Sequence, residues 1–92
     1  MKAHETLTTA REVIGEQRQA EYGDPRACHS AIATLWNGYL SQRGYDPLSP
    51  RDVALMMLLL KVARTMNGAA GPDTYVDMAG YAAIAGELSK PE

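Results

Sequence analysis

The run Val53-Ala54-Leu55-Met56-Met57-Leu58-Leu59-Leu60 constrains this chain more than any other stretch. Upstream of it, Ser49-Pro50-Arg51-Asp52 is a helix start. Proline suits the first turn, where its missing N–H costs nothing, and Asp52 lies where the helix dipole favours negative charge. Downstream, the apolar pattern continues to about Asn67, and Gly68 ends it. At about 100° per residue, Leu55, Leu59, Val62, Ala63 and Met66 share one face, while Met57, Leu58 and Leu60 cover much of the rest. A helix apolar nearly all round has to be covered on more than one side. In a chain of 92 residues it is therefore the central helix, or it meets a second molecule. Eight apolar residues fall far short of the ~20 that span a bilayer, so no membrane span is expected. Met1 to Ala10 lacks the apolar core of a signal peptide.

Turn chemistry marks three further helices. Thr9 followed by Glu12 has the form of a capping box and predicts a first helix over Thr9 to Tyr22, closed by Gly23. Asp24 as N-cap and Pro25 in the first turn start a second helix that runs to about Gln42. Arg43 to Leu48 is a loop, and a last helix covers about Asp73 to Leu88. No segment alternates like a strand. Four helices with short connections define an all-α, four-helix bundle-like fold. The expected division is a flexible N-terminus over 1–8, one helical domain over 9–89 and a flexible C-terminus over 90–92.

Composition narrows the function classes. A chain this short buries only ~60–65% of the surface that its unfolded form exposes, so association would help it. Net charge is -2 with no sustained basic stripe, which argues against nucleic-acid binding. A single cysteine excludes an intrachain disulfide and a Cys-rich zinc site, and suits a reducing cytosol. No P-loop, nucleophile elbow, HExxH or dinucleotide fingerprint is present.

A few polar residues turn inward on the predicted helices. On the first, Ala10, Val13, Ile14, Gln17 and Glu21 share a face, so Glu21 either frays into solvent or points into a site. On the second, Cys28, Ile32, Leu35 and Tyr39 form the main stripe, Cys28 as a small core residue. His29 sits on the flank with Trp36 and Leu40, as a surface or satisfied boundary residue. On the third, Lys61 and Arg64 fall on a common side, three apart. On the fourth, Asp73, Asp77, Tyr81, Ile84 and Leu88 share a broad face. An isolated buried carboxylate at Asp77 is costly, so it needs Lys61 or Arg64 as an interhelical partner. If that pair is fully buried, removing Asp77 costs ~3 kcal/mol or more. A second seam, Tyr75, Ala79, Ala82 and Gly86, has small side chains that suit close helix approach. Gly80 and Gly86 each cost ~1 kcal/mol of helix propensity, which close packing should offset. The alternative to a plain salt bridge is a site in which Glu21, Asp73 and Asp77 hold Mg²⁺ and Lys61 or Arg64 meets phosphate oxygens.

Several motifs carry a resemblance: Glu21-Tyr22-Gly23-Asp24-Pro25, Ala33-Thr34-Leu35-Trp36, Asp52-Val53-Ala54-Leu55-Met56-Met57, Lys61-Val62-Ala63-Arg64, and Asp73-Thr74-Tyr75-Val76-Asp77-Met78-Ala79-Gly80-Tyr81. Over about Glu16 to Leu88 the chain resembles a family of small, functionally uncharacterised phage and prophage proteins. That family is distantly similar to the MazG-like, all-α nucleoside triphosphate pyrophosphohydrolases. The latter are helical bundles, usually dimers or larger, that split an NTP to NMP and pyrophosphate with carboxylate-bound Mg²⁺. The resemblance implies a metal role for Asp77 and a cofactor-contacting role for Tyr81, four residues on. It places Thr74 where the enzymes carry a glutamate, and a threonine cannot replace an anionic ligand. Asp73 lies one residue further back. The enzymes use about four carboxylates, and this chain offers two or three.

The resulting expectation is a phage-derived, MazG-like domain in the host cytoplasm, forming a homo-oligomer through its apolar helices. Three classes stay open. One binds nucleotide with Mg²⁺ and at lower odds hydrolyses it, with Lys61 and Arg64 as the catalytic cations. Another is a non-enzymatic accessory protein that binds a host or phage protein. The third has a structural or nucleic-acid-associated role.

Overall fold

The computed structural model describes residues 1–15, 24–66, 68 and 70–90. Within them the chain is all-α. Helix α1 spans Ala3–Ile14, α2 Pro25–Gln42, α3 Pro50–Met66 and α4 Pro72–Leu88. The last three match the expected helices to within a residue or two, because each start carries explicit cap chemistry. Asp24 accepts a hydrogen bond from the Ala27 N–H at 3.1 Å, with Pro25 in the first turn. Ser49 and Asp52 form a reciprocal pair: the Asp52 N–H donates to Ser49 Oγ, and the Ser49 N–H to Asp52 Oδ2. Gly44 and Gly68 take positive φ in the two following turns, where a Cβ would be strained.

The first helix is a correction. It begins six residues before Thr9 and ends at Ile14, so residues 3–8 are helical where a flexible lead-in was expected. The Lys2 N–H donates to Glu5 Oε1 at 3.1 Å, which supplies a cap earlier than the Thr9/Glu12 pattern does. Thr8 instead turns its hydroxyl back to the His4 carbonyl. The predicted continuation to Tyr22 and the Gly23 cap lie outside the described residues.

Helix α4 is the hub. It packs on α3 and on α1, while α2 packs on α3, and the other pairs make no extended contact among the described residues. Asn37 clamps the α2–α3 loop from both sides, donating to the Leu48 carbonyl at 3.0 Å and accepting from the Leu48 N–H at 2.7 Å. The core is small: Ala10, Ala33, Val53, Ala54, Val76, Ala85 and Leu88. Most of these are short side chains, which lets the helices approach closely but leaves little apolar area covered. The radius of gyration is 14.1 Å, against ~12 Å for a compact domain of this length.

One pH response follows from the α3 cap. The Ser49 backbone N–H, then the Ser49 hydroxyl, hold the Asp52 carboxyl below its ordinary value of 3.8. A depressed carboxylate contributes stability that is present above the unfolded value and is lost as pH falls through the folded one. Melting temperature should therefore drop as pH falls below ~4. Asp52→Asn should flatten that part of the curve, and an unchanged slope in the variant would remove Asp52 as its source.

Candidate functional site

Two of the inward polar residues meet. Lys61 of α3 and Asp77 of α4 form an ion pair at 3.0 Å, with side-chain exposures of 17% and 33%. The expected pairing is present, but it is only half-buried. Asp77 lies on the strip of α4 between two packing seams. Val76 and Gly80 form one side of that strip, and Thr74 and Ala85 the other, all four buried. A strip between two packed helices stays partly open, which is why Asp77 keeps access to water. Arg64, the alternative partner, is exposed.

Beside the pair lies a cleft of about 40 Å³, lined by Val13, Ile14, Val76, Asp77, Gly80, Tyr81 and Ile84. That space suits a few water molecules, whereas small-molecule pockets run to ~300–1,000 Å³. Tyr81 also meets His29 of α2 edge-on, with ring centroids 6.4 Å apart at 67°. His29 is 6% exposed, which corrects its reading as a surface or satisfied boundary residue. Its Nδ1 donates to the Pro25 carbonyl at 2.9 Å, and its Nε2 has no hydrogen-bond partner among the described residues. The signal for its burial was its spacing with Ala33, Trp36 and Leu40, which forms the true inward face of α2.

The other candidate ligands do not gather there. Asp73 is exposed in the first turn of α4. Glu21 lies outside the described residues. Thr74 is buried, and its hydroxyl accepts from the Gly71 N–H at 3.2 Å, so it serves the start of α4. Among the described residues no three His, Cys, Asp or Glu side chains are grouped to hold a metal ion.

Two predicted apolar faces also point outward. Leu35 and Tyr39 of α2 are exposed. On α3, Met56, Leu59, Leu60 and Met66 are 41 to 80% exposed, and Ala63 among them is exposed too. The small-residue seam of α4 is exposed at Tyr75, Ala82 and Gly86, and nothing lies within 4 Å of a Cβ built on Gly86. Gly80 is where helices do approach, since its Cβ would meet Ile14 Cγ2 at 3.2 Å. Burial in α3 goes instead to Val53 and Ala54. Periodicity identified these stripes as apolar, but it could not say which of two apolar sides each neighbour would take.

The ion pair sets the scale for a substitution. A half-exposed pair is worth ~0.5–1 kcal/mol, well below the ~3 kcal/mol expected of a buried one. Asp77→Asn should lower the melting temperature by only a few degrees, at ~4–8 °C per kcal/mol in a domain of this size. A loss above ~15 °C would show that the pair is far more desolvated than its exposure indicates.

The geometry thus defines a small all-α domain with an ion pair between α3 and α4 and large apolar side chains exposed on α2 and α3. The sequence profile of a domain of unknown function, DUF6378, matches residues 5–89, and the chain belongs to that family. It is 49% identical over 86 residues to the Gene 55 protein of Mycobacterium phage L5, covering 94% of this chain and 53% of that protein. It is 40% identical over 76 residues to the Gene 55 protein of Mycobacterium phage D29, covering 83% and 48%. The chain therefore spans about half the length of the curated relatives it matches. No solved structure gives a significant match. No described helix is long and apolar enough to cross a membrane.

Proposed function

We propose that this domain is a phage accessory module that works by binding protein through the apolar outer side of α2 and α3. The observation that carries this reading is the exposure of Leu35, Tyr39, Met56, Leu59, Leu60 and Met66 on two helices that pack side by side. Exposed large apolar side chains mark an interaction site when neighbouring helices gather them into one patch. The test combines light scattering with the fluorescence of an apolar dye. The reading expects either a mass above that of one chain or a monomer that binds the dye through its bare face. A monomer that binds no dye would overturn it.

A nucleotide-handling reading has a narrower support: Asp77 and Tyr81, the two positions that match the MazG-like motif, line one cleft, and Asp77 pairs with Lys61. Mg²⁺ fits poorly among the described donors. Asp77 already holds Lys61, and Asp73 is exposed one turn away. Titration of the chain and of Asp77→Asn with an NTP panel and Mg²⁺, followed by pyrophosphate release, decides this reading. Binding that is lost in the Asn variant would favour it, and no binding to either protein would end it.

A further inference from the structure

We infer that α2 is a two-position helix. A roll of about 100° on its own axis takes His29 out to water and turns Cys28, Leu35 and Tyr39 in toward α3. The structure holds one of the two positions.

The observed seat is poorly matched to the helix. Of the 18 residues of α2 only His29 and Ala33 are buried. One is an alanine. The other is a polar ring whose Nε2 has no hydrogen-bond partner among the described residues. Because Nδ1 donates to the Pro25 carbonyl, Nε2 carries the bare lone pair. A buried acceptor without a donor is rare and costly, since water would have satisfied it. The apolar side chains of α2, meanwhile, lie on one arc of about 160°, from Leu35 and Tyr39 at one edge through Ile32 and Trp36 to His29 and Ala33 at the other. Only the last edge is seated. Leu35 is 75% and Tyr39 66% exposed, and Ile32 and Trp36 between the edges are half-buried.

A roll exchanges the two edges. Nε2 meets water, Leu35 and Tyr39 are covered, and Ile32 and Trp36 keep partial cover in both positions. The bond from Nδ1 to Pro25 lies within the helix and travels with it. What indexes the observed position is polar. Asn37 bonds both backbone groups of Leu48, and Arg26 donates to the Lys90 carbonyl at 2.9 Å. Once α2 turns, water can serve those three backbone groups instead, so the exchange of partners costs little. Among the described residues α2 packs broadly on α3 alone, so the roll disturbs one helix pair. Apolar burial and a freed acceptor thus oppose three hydrogen bonds, the balance that a two-state element needs. Leu35 and Tyr39 belong to the outer side proposed above as a binding surface, and the position of α2 decides whether that surface is complete. The roll itself does not depend on that reading.

The chain's two histidines make the test internal. His4 is exposed on α1 and serves as the reference for buried His29. Diethyl pyrocarbonate acylates a neutral imidazole nitrogen that solvent can reach, and mass spectrometry of the digested chain reads each site separately. Iodoacetamide reads Cys28, half-buried in the observed position, in the same way. In the parent, His29 should be modified while circular dichroism still shows the folded chain. Leu35→Glu lies at the surface in the observed position but places a carboxylate inside in the rolled one. It should lower the ratio of His29 to His4 rates at least ~10-fold with the helical signal unchanged. Asn37→Ala removes a clamp and should raise that ratio while slowing Cys28, because the roll turns Cys28 inward as His29 turns outward. A ratio unchanged by Leu35→Glu would overturn the inference, since His29 would then be reached only by general opening. Asn37→Ala speeding both His29 and Cys28 would show that α2 detaches instead of rolling, and that also overturns it. So does a parent His29 that stays unmodified until the chain unfolds.

Discussion

Val53→Asp is expected to unfold the domain. Val53 is 0% exposed and, among the described residues, is the largest side chain that the fold buries completely. Among the described residues no lysine or arginine is buried to answer a carboxylate there, and an unpaired buried charge costs several kcal/mol. A chain of this length has a total stability of only ~5–14 kcal/mol, and a core built largely of alanine puts it toward the low end. Circular dichroism should show most of the helical signal gone at 25 °C. Val53→Thr is the control of matching shape. Its hydroxyl can bond back to the Ser49 carbonyl, so it should cost ~1–3 kcal/mol and leave a cooperative melt. If the Asp variant melts like the Thr variant, the Val53 site is far wetter than its burial indicates.

Gly80→Val is expected to loosen α1 from α4. A Cβ at Gly80 already meets Ile14 Cγ2 at 3.2 Å, and the two methyl groups of valine reach further into α1. Overpacking of this kind costs ~1–3 kcal/mol. Among the described residues α1 packs broadly on α4 alone, so the cost falls on a single contact. Hydrogen exchange should rise over Ala3–Ile14 while α3 keeps its protection. Ile14→Ala in the same chain should restore much of the loss by removing the opposing methyl group. Equal damage with and without Ile14→Ala would place the fault elsewhere. Gly80→Ala is a closer contest, since ~1 kcal/mol of helix propensity favours it and the 3.2 Å contact opposes it. Its outcome reads directly how far the Ile14 side chain can yield.

Most of the helical layout was written in local chemistry. Asp24-Pro25, Ser49-Pro50 with Asp52, and the glycine after α3 each fix a boundary through a cap or a forbidden conformation, which needs no distant contact. The first helix escaped because Thr9 and Glu12 copy a cap pattern inside a segment whose real cap, Glu5, lies earlier. The Lys61–Asp77 pair was also legible, because an acid among apolar neighbours has few cations to choose from.

The sequence by itself determined that there are helices, where three of them start and stop, and that α3 carries too much apolar surface for one small domain to cover. Only the tertiary structure decided which sides are covered. Two apolar stripes on one helix are equivalent to a periodicity argument, but a neighbour can occupy just one of them. On α3 the short side chains at Val53 and Ala54 let other helices approach, and Leu59, Leu60 and Met66 were left outside. On α4 it was Gly80, facing Ile14, that set the closest approach. The burial of His29 and the half-exposure of Asp77 follow from those choices, since each depends on the angle at which a second helix arrives.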